Sequence, residues 1–146
     1  MKKLWVIFLA VSFIGCTNVT NKPKSSNEFH ELLKQTIFPI PDSLLTNEQI
    51  ELKIKFWDLF FKHVYVENNC QKLDIGKELF VKEGIPEIYY DVIQYQLREN
   101  NECIDKWIEE GDTLLKQVNW DEVMKEAIER YWKMERPELI KRLENK

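Results

Sequence analysis

Glycine is scarce in this chain, at 4 of 146 residues, or about 3% against roughly 7% in an average protein. So few glycines exclude a turn-rich β-sandwich and the glycine loops that cradle phosphates. Histidine is scarcer still, with only His30 and His63. His30-Glu31-Leu32-Leu33-Lys34 starts like a zinc-protease helix, but a lysine stands where the second imidazole must ligate, and a protonated ammonium cannot hold Zn²⁺. Neither histidine has a glutamate three residues before it, so the di-iron bundle pattern is missing too. Gly-x-Ser-x-Gly does not occur. Positive charge is not in excess: the formal net charge is −4 and the pI is near 5.3, which argues against a nucleic-acid partner. No apolar run reaches the roughly 20 residues needed to span a bilayer as a helix. No catalytic residue, metal ligand or cofactor site is expected, and 146 residues suit one domain.

The N-terminus is more definite. Lys2 and Lys3 precede an 11-residue apolar run, Leu4 to Ile14, and Gly15-Cys16 follows it. The basic start and short apolar run have the pattern of a secretory signal. Phe13-Ile14-Gly15-Cys16 resembles the lipobox of bacterial lipoproteins, with Phe13 departing from the usual Leu, Val or Ile. The resemblance implies cleavage after residue 15 and lipid on Cys16. A polar stretch to residue 27 then reads as a flexible tether, ahead of a folded unit over 28–146. The mature chain would hold 131 residues at a net charge of −6. Two or more acyl chains anchor stably, and an acidic body is repelled by anionic headgroups. Thr17 in place of aspartate favours the outer over the inner membrane.

The rest reads as an all-α bundle of four to five helices with no convincing strand. Residues 27–38 carry Phe29, Leu32, Leu33 and Phe38 at helical spacing before Pro39 and Pro41. Thr46 opens a capping box with Gln49, and Ile50, Ile54, Trp57, Phe61 and Val64 continue at steps of three and four to about Asn68. This helix is apolar over most of its circumference and belongs at the centre. Its one polar stripe is Glu51, Lys55, Asp58 and Lys62, with Glu51–Lys55 and Asp58–Lys62 as i,i+4 pairs. A short helix at 75–83 ends at Gly84. Pro86 opens a long one to about Glu110, with Tyr89, Val92, Ile93, Ile104 and Trp107 inward and Asp91, Gln94, Arg98, Asp105 and Glu109 outward. Asn119 caps a helix that Pro137 breaks or kinks.

Four features stand out as candidate sites. Cys70 and Cys103 form an even pair once Cys16 carries lipid. A bridge fits an oxidising compartment, provided the 71–84 connection carries the chain back beside the long helix. Two small buried thiols fit as well. Gln96 and Asn100 fall at i,i+4 on the apolar face of the long helix, where buried amides need partners. They are read either as a polar pair bonded to a neighbouring helix or as a groove for a ligand or partner, extended by Tyr90 and Trp132. Asp42-Ser43-Leu44 and Asp112-Thr113-Leu114 resemble a three-residue bacterial O-glycosylation signal, with Ser43 and Thr113 as acceptors. Asn18-Val19-Thr20 matches the N-glycosylation sequon. The expectation is an envelope lipoprotein held to the membrane through Cys16, binding another protein, with the acidic balance suiting a basic one, as an accessory, inhibitory or immunity-type factor. The rivals are a carrier of a small apolar ligand inside the bundle and an enzyme centred on Gln96, Asn100 and His63.

Overall fold

Thr46 does what its spacing from Gln49 predicts. Its hydroxyl accepts the Gln49 backbone N–H at 3.3 Å, and the Gln49 side chain accepts the Thr46 N–H at 2.9 Å, a reciprocal cap worth about 1 kcal/mol. The helix it opens, Asn47–His63, is the second of the computed structural model, which describes residues 25–111 and 113–145. The signal segment, Cys16, Asn18 and Asp112 lie outside the described residues. In chain order α1 is Ser25–Lys34, α2 is Asn47–His63, β1 is Val64–Glu67 and β2 is Cys70–Leu73. Then come α3 (Lys77–Lys82), α4 (Glu87–Glu109), the single turn α5 (Thr113–Lys116), α6 (Trp120–Arg130) and α7 (Arg136–Glu144). The fold is a small all-α bundle carrying one hairpin.

The core forms where α2 meets α3 and α4. Phe56 contacts Phe38, Phe80 and Tyr89 with ring centroids 4.9, 6.0 and 5.8 Å apart. Each such pair adds about 0.5–1.5 kcal/mol beyond the area it buries. The 35–45 linker is pinned here as well, because the buried Tyr89 hydroxyl accepts the Ile37 N–H at 3.0 Å. Burial, outweighing that bond, pushes the Tyr89 phenol up. Phe29 stacks on Tyr95 at 4.9 Å and holds α1 against α4.

Gly84 ends α3 with a positive φ of 77°. Its N–H reaches the Val81 carbonyl and the Ile85 N–H reaches that of Phe80, the paired bonds of a Schellman stop. Pro86 then caps α4.

Residues 64–73 depart from expectation. α2 does not continue to Asn68: the chain leaves the helix at His63 and folds into an antiparallel hairpin pairing Val64 with Leu73, Tyr65 with Lys72, Val66 with Gln71 and Glu67 with Cys70. Asn68 and Asn69 form the two-residue turn at φ 52° and 63°, the left-handed pair a primed hairpin turn demands and asparagine tolerates. Val64 and Val66 satisfy a strand's inward face as readily as a helix's, so apolar period alone did not separate the two.

Pro137 acts as foreseen, through a particular device. Between α6 and α7 the backbone widens into a π-turn over Tyr131–Glu135, and the Arg136 N–H bonds to the Tyr131 carbonyl five residues back. Pro137 sits in the first turn of α7, where its missing N–H costs least.

Candidate functional site

The hairpin is held on α4 by amides. In an antiparallel pair, residues alternate between those bonded to each other and those whose N–H and C=O point outward. The His63–Asp74 bond at the base, 3.1 Å from Asp74 N to His63 O, sets the register that leaves Gln71 pointing outward. Asn101 on α4 takes both its groups: the Gln71 N–H donates to Asn101 Oδ1 at 2.8 Å, and Asn101 Nδ2 donates to the Gln71 carbonyl at 2.9 Å. One side chain thus substitutes for a third strand. Beneath it Gln96 Nε2 donates to Asn100 Oδ1 at 2.8 Å, and Asn100 Nδ2 donates to Gln71 Oε1 at 3.4 Å. All three amide side chains are buried.

Gln96 and Asn100 are therefore the fastening of the hairpin and not a groove. The two aromatics read with them are elsewhere. Tyr90 lies six residues before Gln96, about 9 Å along the helix, with its ring against Phe80 at 5.3 Å. Trp132 lies on the π-turn beside Tyr131.

An open cleft of about 390 Å³ does lie between hairpin and helix, with Gln71 and Asn101 of the amide cluster on its lining. Alternation along the strands puts Tyr65 and Lys72 on the outer face of the hairpin. The helical stripe Gln94, Arg98, Glu102 and Asp105 supplies the other wall. Tyr65 is 40% exposed, and the Arg98 guanidinium sits 4.8 Å over the Tyr95 ring. Lys72 pairs with Glu67, whose carboxylate holds the ammonium pKa above its usual value through that hydrogen bond. Read from sequence, Gln94, Arg98 and Asp105 of this stripe were a solvated face. What turns it into a wall is the hairpin, so the missing signal was the strand pattern of 64–67 and 70–73.

The same alternation decides the cysteine question. The chain does return beside α4, as a bridge would require, but Cys70 shares the outer face with Tyr65 and Lys72 while Gln71 turns toward the helix. Cys70 is a free, half-buried thiol, so the expected Cys70–Cys103 bridge is not formed.

His63 closes the base of the hairpin, with Nδ1 2.8 Å from Asp74 Oδ1. It lies three ladder positions, about 10 Å, from Gln71, so the imidazole and the amides do not converge. Among the described residues no group of three or more His, Cys, Asp or Glu side chains is placed to hold a metal ion. No described helix is long and apolar enough to cross a membrane.

A second polar cluster joins α2 to the C-terminal helices. Asp58 does not serve Lys62 as its spacing suggested. Its carboxylate accepts the Tyr131 hydroxyl at 2.7 Å and the Arg136 Nε–H at 2.8 and 3.1 Å. Burial first, and the bond to Asp58 second, push the Tyr131 phenol far up, and the same carboxylate raises Arg136. Lys62 and Arg136 lie 5.9 and 5.5 Å from the Trp132 ring centroid. Trp132, expected to extend a binding surface, is thus engaged by its own chain's cations.

No family model matches the chain, no curated protein matches its sequence, and no solved structure matches its fold.

Proposed function

We propose that this chain is a lipid-anchored envelope protein, tethered through Cys16, whose helical body binds another protein through the cleft between the hairpin and α4. The observation that carries the reading is Tyr65, a large aromatic left 40% exposed on an outer strand face opposite Arg98. Tyrosine and arginine are the side chains that dominate binding energy at protein interfaces, and the polar rim around them is what such interfaces carry. The acidic residues Glu102 and Asp105 on the same wall, with the acidic balance of the whole chain, suit a basic partner approached by electrostatic steering. An accessory or inhibitory factor fits these features. The carrier reading finds less support, since the packed rings of Phe38, Phe56, Phe80 and Tyr89 occupy the space between α2, α3 and α4.

The test is recovery of the acylated protein from its native envelope after mild cross-linking. A near-stoichiometric partner is expected, held less well in molar salt. Tyr65→Ala or Arg98→Ala should weaken it by at least about 2 kcal/mol, or 30-fold, with helicity unchanged. A monomer throughout, or equal retention by both variants, defeats the reading.

A further inference from the structure

The two most exposed large apolar side chains among the described residues are Leu44 at 71% and Leu114 at 76%. Each is the third residue of an Asp-Ser/Thr-Leu tripeptide. Two of the chain's seven aspartates are followed by Ser or Thr, although only nine of 146 residues are Ser or Thr, and both are then followed by leucine. Asp and Ser near a helix start are ordinary capping residues. Capping does not account for the first of them, because Pro41 occupies the cap of the Asp42–Leu44 turn and no side chain bonds there. Nor does capping require an exposed leucine. Ser43 and Thr113 are both exposed. Asp42 is held in place by Lys53, which leaves Ser43 and Leu44 outward on a fixed turn. Beside Ser43 lies an open cleft of about 250 Å³ bordered by Glu138, Lys141, Arg142 and Asn145, a set of donors and acceptors suited to sugar hydroxyls.

We infer that Ser43 and Thr113 are O-glycosylation sites, each read by a transferase through the preceding aspartate and the exposed leucine. The hydroxyl oxygen attacks the anomeric carbon of a sugar carried on a polyprenyl pyrophosphate. The anomeric C–O bond to phosphate breaks, the pyrophosphate leaves with the electron pair, and the hydroxyl proton passes to a base of the transferase. The choice of a glycan over a phosphate rests on the exported location proposed above, where nucleotide donors are absent.

Intact-mass and peptide mass spectrometry of the protein from its native envelope tests this and reports Cys16 in the same experiment. Two sugar increments are expected, one on the peptide holding Ser43 and one on that holding Thr113. Ser43→Ala should remove the first alone, Thr113→Ala the second alone, and Ser43→Thr should keep it. Leu44→Lys should lower occupancy at Ser43 at least tenfold without touching Thr113. Unmodified tripeptides on a chain lipidated at Cys16 overturn the inference and leave the anchor standing, as does a phosphate increment at either hydroxyl. An uncleaved, unlipidated chain with bare tripeptides overturns both.

Discussion

Where α2 faces the C-terminal helices, the group taken from water is a carboxylate, Asp58, answered by a phenol and a guanidinium from either end of the π-turn. Beneath the hairpin the groups are neutral amides, Gln96, Asn100 and Gln71, each bonded to the next, with Asn101 on the strand edge. Both clusters tie together segments distant in sequence. They differ in what happens when a member is lost. A charge stripped of one partner stays charged and pays for desolvation with less return, so the Asp58 cluster tolerates one arrangement and fixes where α7 begins. A buried amide that loses its partner costs about 1–3 kcal/mol but carries no charge, so the hairpin is the less costly of the two to refit. The rigid half builds the scaffold, and the adjustable half borders the open cleft.

Asp58→Ala breaks the comparison most directly. It takes the near acceptor from the buried Tyr131 hydroxyl, leaving it only the Ile54 carbonyl at 3.4 Å, and removes the carboxylate partner of the part-exposed Arg136, at a cost of about 2 kcal/mol. Urea unfolding monitored by circular dichroism reads this, and a loss under about 1 kcal/mol would show the cluster to be ornamental.

Alkaline titration probes the same half. The phenols of Tyr131 and Tyr89 are both raised, chiefly by burial. A raised folded-state pKa means stability is fully present below the unfolded value near 10 and is lost as pH climbs toward the folded one. The loss should approach about 1.4 kcal/mol per pH unit for the Tyr131 phenol, with Tyr89 adding to it in the same direction. Tyr131→Phe should flatten this slope between pH 10 and 11.5, whereas Gln96→Leu should not. Equal slopes in both would erase the distinction.

Asn101→Ala removes two bonds to the Gln71 backbone at once. The expected loss is about 1–2 kcal/mol, confined to the hairpin. Hydrogen exchange at the Gln71 amide should therefore accelerate while that of α2 amides stays unchanged. Global acceleration would mean that the hairpin is part of the scaffold after all.

Much of this architecture was written in local chemistry. The Thr46–Gln49 box, the Gly84 stop, the Asn119 cap, whose side chain accepts the Glu122 N–H at 3.2 Å, and the break at Pro137 all depend on residues within five positions of one another. The hairpin was not legible in this way. Its apolar valines follow directly on a helix, and asparagines fill a turn that glycine usually announces. Everything dependent on the hairpin was lost with it: the bonding of Gln96 and Asn100, the free Cys70, and the wall formed by Gln94, Arg98 and Glu102. Asp58 was misassigned for a different reason. The i,i+4 neighbour Lys62 is visible in sequence, and Arg136, 78 residues away, is not.

The turn that hid the hairpin also gives the subtlest way to sharpen the comparison. Asn69 holds φ at 63°, which glycine adopts without steric cost. Asn69→Gly should therefore stabilise the hairpin by about 0.3–0.5 kcal/mol, a small rise in Tm accompanied by slower exchange at Gln71. Asn68→Val, which must place a β-branched residue at φ 52°, should cost more than the glycine gains. If the cleft is the binding surface, stiffening its wall with glycine should leave the fold alone and slow dissociation of the partner. Loosening it with valine should speed release while α2 and α7 keep their protection. A valine variant that loosened α7 as well would show that the two polar clusters are energetically one.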